Sequence, residues 1–281
     1  MKKILTYLLL FITSTNSFSQ EVELENFRKE LDFFIEYCLG KVPSMPQNEA
    51  NHNKLVKKVD DAFALFITHS ESQNSPNFKT ALNDNNVKFS YIDSRIYVCI
   101  ETFTTKNASY AVYSYSSGFR KAYFVKNNNS NTIVYKGKPG MMYIDNIFEI
   151  DDKNILLIEK SGDRQTSKKA MVFSSAQSTW KLIEAFKGKA FGQVNADYFN
   201  KKFVNKRPFL LLECEFEDLM SAPKEANEIY FDENTKTISY KIFENNYKFK
   251  VISSKWDNNM FTIDDHDVGE NFSGSVPVME R

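Results

Sequence analysis

The chain has 281 residues, 42% of them hydrophobic, with 36 Lys and Arg balanced by 36 Asp and Glu. Balanced charge argues against a nucleic-acid partner, which favours a strongly basic face. The length is ample for a large core, as one β domain with a helical extension or as two small domains.

Residues 1–19 read as a secretory leader. Lys2 and Lys3 precede a short apolar run, Ile4–Ile12, too short to span a bilayer core of about 30 Å. Ser17 and Ser19 place small residues where a signal peptidase inspects the chain, so cleavage is expected before Gln20. No Cys follows the apolar run, so a lipid anchor is not expected, and no later run has the length of a transmembrane segment. The expected location is the periplasm or the cell exterior.

Residues 20–86 read as a helical region and linker. Leu24, Phe27, Leu31, Phe34, Ile35 and Cys38 recur at steps of three and four, the stripe of an amphipathic helix over 21–39. Gly40, Pro43 and Pro46 end it. A second helix is expected from Glu49 to Thr68, with Leu55, Val59, Ala62, Phe63 and Phe66 on one face. The polar stretch from Ser70 to Asn86 reads as a linker.

From Val87 the period changes to two, and residues 87–264 read as a β domain. Short β-rich runs are punctuated by Asn, Asp, Gly and Ser clusters, the pattern of antiparallel meander sheets. The stretch Tyr143–Phe186 reads as four consecutive strands, the last of them Trp180–Phe186. Ile92–Glu101 echoes Ile150–Glu159, and Ala111–Ser114 echoes Ala170–Ser174, which suggests internal duplication. A short helix is expected around Ala196–Lys202, and a flexible tail over 265–281. The expected class is mainly β, β-propeller-like or β-sandwich, with an N-terminal α-helical pair. The run Tyr230–Tyr240, with a Tyr-Lys and a Trp further on, resembles strand–turn–strand units of secreted bacterial β-propeller-type proteins.

Three groups of residues carry candidate chemistry. Glu213, Glu215 and Glu217 share one face of an expected strand, about 6.6 Å apart per step. They suit a basic partner or a cation, and two of them suit acid–base work; the wet face of a half-buried strand is the plainer reading of the three. Tyr113 and Tyr115 share a strand face and suit sugar stacking or a protein interface, or pair across strands in the core. Asp264-Asp265-His266-Asp267 offers metal-ligating atoms but lacks a fixed frame, so no metal site is assigned. The cysteines, Cys38, Cys99 and Cys214, lie in apolar runs; they read as small buried hydrophobes, with a Cys99–Cys214 bridge as the alternative.

No Gly-rich phosphate loop, HExxH pair or Gly-x-Ser-x-Gly elbow is present, and no cofactor is expected. The function expected is therefore a non-enzymatic binding protein, its partner an unknown protein or glycan of the cell envelope. The alternative is a carboxylate-dependent hydrolase acting on glycan or peptide.

Overall fold

In a computed structural model, the structure describes residues 22–68, 79–82, 88–93, 96–137, 142–161, 166–176, 179–188, 208–214, 228–245, 248–263 and 274–275. The leader, the helix expected near Ala196–Lys202 and the Asp264–Asp267 run lie outside these residues. The fold is mainly β, with antiparallel sheets and, among the described residues, two helices. It divides into two compact units, one of Met1–Thr104 with Ala108–Gly140, the other of Thr105–Asn107 with Met141–Arg281.

In the first unit, helix α1 covers residues 22–38 and helix α2 covers Glu49–Thr68. Gly40 ends α1 with φ 71°, and the amides of Gly40 and Lys41 donate to the carbonyls of Tyr37 and Glu36. That is a Schellman closure, and its left-handed position suits a residue without Cβ. Asn48 caps α2, its side-chain oxygen accepting from the Asn51 amide at 2.9 Å.

The sheet of this unit runs in chain order through six strands: β1 (Lys79–Leu82), β2 (Lys88–Asp93), β3 (Ile96–Thr104), β4 (Ser109–Ser116), β5 (Lys121–Asn127) and β6 (Thr132–Lys136). Strand β1 falls inside the stretch that reads as linker. Its four residues are too few to show a period, and antiparallel pairing with β2 defines it. Alternate residues of the central strands, Val98 and Ile100, Tyr113 and Tyr115, Ala122 and Phe124, form one core with the apolar stripes of both helices. Phe63 is its hub, with ring centroids 4.9 Å from Phe27, 4.7 Å from Tyr115 and 5.3 Å from Phe124. The other side of β4 and β5 is also buried, at Tyr110, Val112, Tyr123 and Val125. Gly137 closes over Tyr123, where a Cβ would stand 1.9 Å from the phenol ring.

Among the described residues the second unit holds two sheets. One runs β10 (Thr179–Ile183), β9 (Thr166–Ala176), β8 (Asn154–Ser161), β7 (Met142–Glu149), the expected meander. Strand β9 is long enough that β12 (Phe209–Cys214) takes up the first half of the same strand edge that β10 occupies further on. The other sheet runs β11 (Phe186–Gly188), β16 (Met260–Ile263), β15 (Lys248–Asp257), β14 (Thr237–Asn245), β13 (Ile229–Asp232), with β17 (Gly274–Ser275) pairing β15.

The run Trp180–Phe186, expected as one strand, is two. The chain leaves the first sheet after Ile183 and enters the second at Phe186, where β11 pairs parallel with β16. Buried Ala185 makes the corner, its carbonyl accepting from the Phe261 amide at 2.7 Å. One core cluster then draws on both sheets, with Leu156, Ile158, Val172 and Leu210 from the first and Ile238, Tyr240, Ile252 and Phe261 from the second. The β15–β16 turn places Asn258 and Asn259 at φ 48° and 60°, the left-handed pair that a two-residue hairpin requires.

Replacing Phe63 with Ala removes the hub of the first core, and the expected cost is about 3–5 kcal/mol in urea-induced unfolding. A loss below about 1 kcal/mol would show that the helices are not packed on this ring.

Candidate functional site

The apolar arc of α2 carries one acid, Asp60, only 1% exposed. A lone buried carboxylate is strongly disfavoured, so its partners decide whether α2 can dock at all. Oδ1 accepts from the Tyr115 hydroxyl of β4 at 2.7 Å. Oδ2 accepts from Arg120 Nη2, in the β4–β5 turn, at 2.6 Å and from Lys136 Nζ, at the end of β6, at 2.7 Å. Burial, then the neighbouring Asp60 charge, pushes the Tyr115 hydroxyl far above its ordinary pKa, so it stays a proton donor. The Arg120 Nε is buried with no partner. Of the Asp60 oxygens, one serves Tyr115, so the two-fold pairing that a guanidinium makes with a free carboxylate is not completed.

The second unit has its own buried charges. Lys168 on β9 meets Asp145 on β7 at 2.6 Å and Glu228, just before β13. Burial opposes the Lys168 charge, but the hydrogen bonds and attraction of the two carboxylates outweigh it and leave the pKa raised. Glu159 on β8 pairs with Lys169 on β9 at 2.8 Å. At the β7–β8 turn, Asp151 accepts from the Asn154 side chain, from the Lys153 and Asn154 amides and from the Trp256 indole at 3.1 Å. Burial would raise its pKa, yet these donors hold it below the usual aspartate value. Nearby, Lys236 Nζ donates to the Glu149 carbonyl at 3.1 Å. These groups form ion pairs and caps that tie strands and turns together, so they serve to position strands.

The residues singled out from the sequence are not brought together. Glu213 holds a strand position in β12 opposite Ser167, while Glu215 and Glu217 lie outside the described residues. Tyr113 and Tyr115 are buried on the side of the sheet that packs against the helices, as cross-strand core residues opposite Phe124 and Ala122. Cys99 is a half-buried free thiol, and the side chain of Cys214 lies outside the described residues. Burial first, then the Glu101 charge, raises the Cys99 pKa, which keeps it protonated and unreactive. Among the described residues no group of three or more His, Cys, Asp or Glu could hold a metal ion.

Sequence reasoning missed Asp60, Arg120 and Lys136. A signal was present: residues 108–137 contain Arg120, Lys121, Lys126 and Lys136 but no Asp or Glu, while an acid interrupts the apolar arc of α2. Comparison with protein-family models, curated proteins and solved structures finds no match to this chain. Among the described residues no helix is long and apolar enough to cross a membrane.

Changing Asp60 to Ala leaves the buried Arg120 unpaired, with an expected destabilisation of about 3–5 kcal/mol. Tyr115→Phe removes one hydrogen bond and frees Oδ1 for Arg120, so the expected loss is about 1 kcal/mol or less. Equal losses in a chemical-denaturation series would contradict the ion pair as the stronger of the two interactions.

Proposed function

We propose that the chain is a non-enzymatic binding protein of the periplasm or cell exterior, carried there by the leader at residues 1–19. Its proposed partner is a protein or glycan of the cell envelope. The observation that carries this reading is a set of aromatic rings left exposed: Tyr97 on β3, Phe119 in the β4–β5 turn, Tyr143 on β7 and Tyr230 on β13, at 43%, 47%, 47% and 48%. Two of the rings belong to each unit; exposed rings offer contact area at a low entropic cost, and their faces suit sugar rings as well as protein surfaces. Buried Asp60, Lys168 and Glu159, by contrast, are held within ion pairs that serve the fold. For the second unit we infer a β-sandwich, since one core cluster draws on both of its sheets.

Envelope and medium components are captured on the chain from Gln20 onward and identified by mass spectrometry. Tyr97→Ala, Phe119→Ala, Tyr143→Ala and Tyr230→Ala are then compared with the parent. At least one substitution is expected to weaken a saturable interaction by tenfold or more at an unchanged melting temperature, about the effect of losing an interface anchor. Unaltered binding in all four would defeat the aromatic-surface reading. Turnover of a glycan or peptide that disappears in Glu213→Gln, Glu215→Gln or Glu217→Gln would replace it with a hydrolase.

A further inference from the structure

Buried Asp60, Arg120, Lys168 and Glu159 are each answered by an opposite charge. Lys126 is not. It is 3% exposed on the helix-facing side of β5, in the column that contains Ala122 and Phe124. Its ammonium donates to the Ile67 carbonyl, in the last turn of α2, at 2.8 Å. It also lies 5.8 Å from the centroid of the Tyr113 ring. Among the described residues no carboxylate pairs with it.

The surrounding elements offer little else that titrates. On β4 the facing group is Tyr113, and across the β5–β6 ladder Lys126 stands opposite Ile133. On α2, Asp60 is committed to Arg120 and Lys136, and exposed Asp61 is paired with Lys57. The next carbonyl, that of Thr68, accepts from the Asn131 side chain of the β5–β6 turn. The end of α2 is thus fastened to β5 and its following turn by one uncompensated ammonium and one neutral amide.

We propose that Lys126 makes the seating of the last turn of α2 on β5 proton-linked: protonation loosens this turn and deprotonation seats it. Two favourable interactions act on the charged form, one with the partial negative charge at a helix C-terminus and one with the face of the Tyr113 ring. Desolvation opposes them and wins, pulling the Lys126 pKa down to about 8. Opening the turn returns the amine to water and to its ordinary pKa near 10.5. The open form therefore binds more protons. Its population grows as pH falls from the ordinary lysine range to about 8 and is level below that. The device acts on the last turn of α2 and does not depend on what the protein binds.

The test is subtilisin cleavage between Ala64 and Asn74 in the chain from Gln20 onward, measured from pH 7.5 to 10 and normalised to an unstructured peptide of the same sequence. For the parent, cleavage is expected to slow by up to roughly tenfold per pH unit above about pH 8. Lys126→Met is expected to be cut slowly at every pH, and Lys126→Arg, whose charge is permanent, rapidly at every pH. His69→Gln and Glu71→Gln, which alter the titrating groups next along the chain, are expected to keep the parent profile. A 13Cε NMR titration of Lys126 in the parent reads the same transition without any substitution. The proposal is overturned if Lys126→Met keeps the parent profile, if either neighbouring substitution abolishes it, or if Lys126 titrates in the ordinary lysine range.

Discussion

The burial of Asp60 is the constraint on which the first unit depends. An aspartate in the apolar arc of a helix opposes docking unless the opposing surface supplies compensating donors. Here the sheet supplies three, from β4, the β4–β5 turn and β6, so the helix can approach only where those three converge. Hydrophobic contact around Phe63 provides non-directional attraction, and the carboxylate turns it into one orientation. Replacing a whole buried ionic network by well-packed apolar side chains commonly leaves a core of comparable stability. The network's contribution is therefore best described as fixing where α2 sits.

The second unit reaches order by a different route. Its sheets share core side chains, from β8, β9 and β12 of the first and from β11 and β13–β16 of the second, and the chain passes between them at Ala185 with backbone hydrogen bonds kept. The strand β8 is apolar on both sides, Ile155 through Ile158 being buried, because it lies between β7 and β9 and has neither an edge nor a wet face. Polar ties then gather at the hairpin ends, where Trp256 meets Asp151 and Lys236 meets the Glu149 carbonyl. Each tie joins one sheet to the other, so the turns locate the sheets as well as reversing the chain.

Buried Lys126 and Lys168 illustrate how context decides the behaviour of one side chain. Lys168 lies between two carboxylates and is held charged above the ordinary lysine range, whereas Lys126 faces a carbonyl and a phenol ring and is pulled below it. Both are almost fully enclosed. Attraction to fixed opposite charge outweighs desolvation in the first case, and nothing of comparable strength does so in the second.

Much of the local structure was legible in the chain. Apolar residues at steps of three and four define α1 and α2, with a glycine stop after the first, and alternation broken by Asn, Asp and Gly defines the strands that follow. These signals depend only on neighbours in sequence, so they survive without knowledge of the fold. The echo of Ile92–Glu101 in Ile150–Glu159 is of the same kind: Val98 and Ile100, like Leu156 and Ile158, hold core positions in the middle strand of a meander. Tertiary structure alone decided the rest. It made a strand of Lys79–Leu82, split Trp180–Phe186 between two sheets, placed both helices in one unit with the first six strands, and buried Tyr113 and Tyr115. It also joined Asp60 to Arg120, which lies 60 residues further along. A strand's partner, the side of a sheet that faces the core and the counter-charge of a buried acid are all relations between distant segments. No local period encodes them, and packing and desolvation settle them only when the chain is folded.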